Sequence, residues 1–145
     1  MSELNDVLFG DTVTLYNHYR ENREDRWQRT VIRGVQHRAK TEKTVDASGL
    51  HLAQSVSVTI PVNADAGGRH YLPPHLFATS ENRAAYWTLD SEQNLDVIVN
   101  GECAEELSVT YTLDHLRKER RYATIKGVSD NTGRPRLKHW KVTAV

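Results

Sequence analysis

The stretch Arg120–Val145, RRYATIKGVSDNTGRPRLKHWKVTAV, decides how this chain is read. Two runs of strand-forming residues, Tyr122–Val128 and Leu137–Val142, flank the polar segment Ser129–Pro135. β-Branched and aromatic side chains suit a pleated, half-buried surface, and the Asp, Asn, Gly and Pro residues between the runs supply turn geometry. The stretch therefore predicts a β-hairpin with a long turn. Just before it, Thr112 is a good N-cap for a helix Leu113–Arg121, with Asp114 in the first turn and basic residues in the last. Leu113 and Leu116 are its only apolar stripe, which predicts a short helix lying on the surface.

Working outward, strand signals continue. Leu95–Gly101 (LDVIVNG) reads as a strand, and its Val97-Ile98-Val99 run predicts burial on both faces. Trp87–Leu89 opens a short strand, Asp90–Asn94 a turn, and Leu107–Tyr111 another short strand. Leu50–Pro61 (LHLAQSVSVTIP) is the best central strand: Val56, Val58 and Ile60 alternate with Ser55, Ser57 and Thr59, and Pro61 stops it. Residues 12–19 (TVTLYNHY) and 27–35 (WQRTVIRGV) give two more strands, separated by the polar turn RENREDR at 20–26. Arg29 and Arg33 share a face with Trp27 and Val31, so one side of this second strand is expected to meet solvent or another subunit. Residues 36–49 (QHRAKTEKTVDASG) read as a loop or a ragged edge extension. From Val62 to Ala85 periodicity dissolves into a long loop, which in a compact domain is either functional or hides an element. Tyr71, Leu72, Leu76 and Phe77 surround Pro73-Pro74, an apolar knob that pins the loop to the body or touches a partner.

A length of 145 residues suits one domain, spanning 1–145, with a real core, and 38 % hydrophobic residues exceeds a disordered composition. No segment approaches the roughly 20 apolar residues of a membrane-spanning helix, and MSELNDVLFG lacks the apolar core of a secretory signal. One cysteine, Cys103, excludes an internal disulfide and fits a reducing compartment. The expected fold is mainly β: a small β-barrel or sandwich with one short helix (about 112–121) and a long loop (about 62–85).

Lys plus Arg and Asp plus Glu balance at 19 each, but they are segregated. Residues 20–43 carry net +4, residues 81–106 net −6 and residues 117–141 net +7. Arg117, Lys118, Arg120, Arg121, Arg134, Arg136 and Lys138 form a candidate basic surface for a DNA channel or an inter-subunit contact. Glu92, Asp96, Glu102, Glu105 and Glu106 form a candidate acidic inter-subunit surface. Unlike patches on copies of one chain make a heterologous contact, which closes into a ring when the rotation permits. The plainer reading is that solvated charges neutralise one another within the folded chain. Tyr122 and Trp140 beside the basic residues also fit a single-strand-binding β-barrel.

Catalytic signals are missing. The seven histidines lack zinc-site spacing, Cys103 between Glu102 and Ala104 has no partner base in sequence, and no nucleophile elbow, phosphate loop or dinucleotide fingerprint occurs. No catalytic residue, metal or cofactor is expected.

Two regions carry a resemblance. One is TVTLYNHY with WQRTVIRGV (12–19, 27–35); the other is DVIVNGE (96–102), a short L-x-x-L helix, YATIKGVSDN (122–131) and GRPRLKHWKV (133–142). Together they resemble a family of small tailed-phage and prophage proteins encoded among virion-assembly genes. The β-rich order with its late hairpin also looks like phage head-closure, or stopper, proteins, small β-barrels that form a ring between portal adaptor and tail. The resemblance implies a non-enzymatic virion protein at the head–tail connector, assembled in the host cytoplasm. Its partners would be copies of itself, neighbouring neck, portal-adaptor or tail proteins, and DNA contacted without sequence preference. Capsid decoration and tail termination are the alternatives of the same class, and a nucleic-acid-binding module is the alternative of another. The loop at 62–85 and the helix at 112–121 lie outside the stopper pattern.

Overall fold

The computed structural model describes residues 9–93, 95–108, 111–120 (with no side-chain placement for Arg120) and 122–145. Its strands are β1 (Asp11–Glu21), β2 (Glu24–Asp46), β3 (Gly49–Pro61), β4 (His70–Tyr71), β5 (Tyr86–Trp87), β6 (Val97–Asn100), β7 (Tyr122–Asp130) and β8 (His139–Ala144). Two helices accompany them, α1 (Pro74–Thr79) and α2 (Leu113–Arg120). Six strands pair antiparallel in the order β1-β2-β3-β8-β7-β6, and β6 returns to β1 through Val13–Tyr16 against Val97–Asn100, so the sheet closes into a small barrel.

Local chemistry explains the path. β1 and β2 are joined by the two-residue turn Asn22-Arg23, both at positive φ (53° and 66°), the twist that suits a tight hairpin. The polar 20–26 segment is thus mostly strand, with a turn of only two residues. β2 then serves two neighbours in succession: its first half pairs with β1 as far as Val35, its second half with β3 from Gln36 onward. Gly34 makes the switch. It is the extra residue between Arg33, opposite Thr12, and Val35, opposite Asp11, and it sits at φ +82°. That is a bulge built on a left-handed glycine, which bends the strand out of one ladder and into the next. An added Cβ would meet only the Phe9 carbonyl oxygen at 3.8 Å, so the cost of a side chain there lies in the backbone. Gly34→Val is expected to lower the unfolding free energy by about 1–3 kcal/mol in urea titration.

Val13, Leu15, Ile32, Val35, Val58, Ile60, Ile98, Ile125 and Val142 fill the barrel. A second, smaller core lies outside it, where Tyr16, Val97, Val99 and Cys103 pack under Leu116 of α2. This explains why Val97, Ile98 and Val99 are all buried: alternate residues face the two cores. α2 forms where it was expected, with His115 Nδ1 accepting from the Thr112 backbone N–H at 3.2 Å and Leu116 fully buried. Among the described residues of 107–111 no strand is present, while 109 and 110, like Asn94, lie outside the description.

The long 62–85 segment hides elements that periodicity cannot reveal. α1 has only six residues, signalled by Pro74 at its first turn. β4 and β5 form a two-residue parallel pair. Arg69 staples the segment to the barrel, donating from Nη1 to Thr30 Oγ1 (2.7 Å) and from Nε to the Ala84 carbonyl (2.9 Å). Tyr71, Trp87 and Trp140 close one end of the core as an aromatic triad with ring centroids 4.5–5.3 Å apart.

Candidate functional site: an arm and a cleft

Beyond the barrel, β2 and β3 run on together as a two-stranded arm. β1 stops pairing with β2 at Val35 and β8 stops pairing with β3 at Val56, yet β2 and β3 stay in register to Asp46 opposite Gly49. Residues 40–55 are all exposed. At about 3.3 Å per residue the arm reaches roughly 20–25 Å past the barrel. A turn at Ala47-Ser48 ends it, with Asp46 Oδ1 accepting from the Ser48 backbone N–H at 2.8 Å and its hydroxyl at 2.6 Å. Those donors hold the Asp46 carboxyl below the usual range. The stretch 36–49, expected as a loop or edge extension, is therefore one side of this arm.

The arm is two-faced. Ala39, Thr41, Lys43 and Val45 of β2 stand opposite Val56, Gln54, Leu52 and Leu50 of β3, so all eight share one face. On β3 this is the face that carries Val58 and Ile60 into the core. The core-facing alternation thus continues past the point where the core ends. Val45, Leu50 and Leu52 are 78 %, 62 % and 64 % exposed. The opposite face carries Arg38, Lys40, Glu42, Thr44 and His51. A two-stranded ribbon in water is marginal on its own.

At the barrel near the arm's root lies a cleft of about 770 Å³, lined by Phe9, Pro61, Val62, Ala64 and Leu137 among others. Val62 and Leu137 are 47 % and 72 % exposed at its rim. Leu137 is also held at φ +50°, a left-handed conformation unfavourable for a bulky side chain. Strain that presents an exposed leucine at a cleft is a sign of function.

The charged surfaces come out differently from the sequence expectation. Arg117 is paired with Asp114 at 2.6 Å on α2, and Lys118 is exposed beside it. Arg134, Arg136 and Lys138 lie in the connection after β7, whereas α2 precedes it, so nine strand residues, roughly 25 Å, separate the two groups. The two groups thus lie toward opposite ends of β7; Arg121 and the Arg120 side chain lie outside the description. Glu102 and Glu106 turn back on β2, to Arg33 at 2.8 Å and Arg29 at 4.0 Å. Glu105 Oε2 meets the Cys103 thiol at 2.9 Å. The polar face of β2 that was expected to meet solvent or a subunit is thus partly covered by the chain's own acidic segment. Glu92 is exposed.

Asp96 is no surface residue. It is 2 % exposed and accepts from the His18 backbone N–H (2.8 Å), Asn17 Nδ2 (2.8 Å) and the Asp90 backbone N–H (3.1 Å). Asn17 Nδ2 also donates to the Thr88 carbonyl at 2.7 Å, so this hub ties β1 to the 88–90 segment. Burial outweighs the three donors and pushes the Asp96 carboxyl up to about 6. Between the ordinary value of 3.8 and about 6 the folded chain holds a proton that the unfolded chain has lost. Stability from this group is therefore greatest below that window and falls as pH rises through it, by about 3 kcal/mol. Comparing urea unfolding of the protein and Asp96→Asn between pH 4 and 7 should show this slope only with the carboxyl present.

The loop knob is only partly internal, since Leu76 is 47 % exposed. Phe77 is 2 % exposed and packs edge-on against Tyr19, and Tyr71 belongs to the aromatic triad. Leu72 is half-buried, donating its N–H to the Trp87 carbonyl at 2.9 Å. These residues pin the loop to the barrel. Among the described residues no group of three or more His, Cys, Asp or Glu is placed to hold a metal ion.

Barrel, arm and cleft together define a small β-barrel protein with an outlying two-stranded arm. Residues 8–145 match a family of unknown function, DUF6751, and the chain belongs to that family. No curated protein and no solved structure matches it.

Proposed function

We propose that this protein is a non-enzymatic phage virion structural protein, a subunit of the head-closure or head–tail connector ring at the neck. The observation that carries the reading is the arm, whose core-like face leaves the barrel and lies exposed. The resemblance of residues 12–19, 27–35, 96–102, 122–131 and 133–142 to tailed-phage assembly proteins supplies the setting. Cryo-electron microscopy of purified particles tests the reading. Density for this chain as one ring at a single vertex is expected. Density over the whole shell would make it a decoration protein, and absence from the particle would overturn the virion role.

A further inference from the structure

The arm and the cleft belong to the same chain but cannot meet within it. Leu50 and Thr59, one at the arm's tip and one on the cleft wall, lie on the single strand β3. Nine extended residues hold them roughly 30 Å apart. An apolar knob and an apolar hollow fixed at that distance serve two different molecules.

We infer that the arm tip of one copy, Val45, Leu50 and Leu52, seats in the cleft of a second copy beside Phe9, Val62 and Leu137. This rests on the proposed assembly role and specifies its contact. Area favours copies over a lone partner. One face of the arm covers roughly 200–250 Å², well below the about 800 Å² per side of a standard stable interface. A copy in a closed ring makes the contact twice, giving its arm to one neighbour and its cleft to the other, and closure holds each contact in place. Charge agrees at one point: Lys43 is the only charge on the arm's apolar face, and among the described residues Asp65, whose Oδ1 accepts from the Gly67 backbone N–H at 2.9 Å, is the only carboxylate on the cleft wall. Arg33 on that wall is already held by Glu102, while Lys138 and His139 stand on the side formed by the β7–β8 connection.

The test is disulfide trapping in the full chain, where the native Cys103 is buried. Leu50→Cys with Leu137→Cys should give, on mild oxidation, a ladder of covalent oligomers ending in a closed species. His51→Cys with Leu137→Cys, its cysteine on the polar face, should lose the ladder. Leu137→Asn, which tolerates the left-handed backbone, should keep or raise the melting temperature while shifting the protein to monomer in native mass spectrometry. A Leu50→Cys variant that cross-links arm to arm overturns the docking site. So does a sample that assembles in native mass spectrometry without the ladder, and in that case the ring reading survives. A protein that stays monomeric throughout overturns both.

Discussion

Replacing Asp96 by Ala is expected to cost about 1–3 kcal/mol of stability at neutral pH, and more near pH 4 where the charged form no longer has to be buried, read as a lower urea midpoint with unchanged slope. The carboxylate is the acceptor for three N–H donors in a site from which water is excluded. Alanine leaves the His18 and Asp90 backbone N–H groups and one Asn17 amide proton with nothing to bond. Orphaning such groups costs more than a made hydrogen bond contributes. Asn keeps the shape and one acceptor oxygen, so Asp96→Asn should lose less. A midpoint for Asp96→Ala within experimental error of the parent would mean the hub is not holding β1 to the 88–90 segment.

Trimming the arm is expected to do the opposite: fold retained, assembly lost. Replacing residues 40–55 by Asn-Gly closes a two-residue hairpin on the pair Ala39 and Val56 and removes only exposed residues. The unfolding free energy should stay within about 1 kcal/mol of the parent, since exposed residues contribute little. Association should disappear in native mass spectrometry. Burying a leucine side chain contributes about 1.5–3 kcal/mol, and the arm carries Leu50 and Leu52 with Val45 beside them. A trimmed protein that assembles as before would show that the arm is not the contact.

The barrel strands were legible because their alternation follows burial. Val56, Val58 and Ile60 announce β3, and Val97-Ile98-Val99 announces a strand between two cores. The arm was half hidden. Leu50 and Leu52 extend the β3 alternation, but its partner strand is polar from Gln36 to Thr44 apart from Ala39, so the apolar face appears only when the register sets Val45 opposite Leu50. Short elements were missed for a different reason. Six-residue α1 is too brief to show a helical period, and the two-residue β4 and β5 depend on Tyr71, Trp87 and Trp140 meeting in space. Charge misled most. Asp96 sits in an acidic block by sequence, yet its neighbours in space are amide donors and apolar side chains. Linear counting also merged two basic groups that β7 holds apart.

The most direct test of the central claim is hydrogen exchange of the arm's backbone, measured for the dilute protein and for the same protein assembled. If a second copy covers the arm, amides in residues 40–55 gain protection on assembly while those of the barrel core change little. Equal exchange of the arm in both states would mean that its apolar face stays in water, and the assembly role assigned to it would fall.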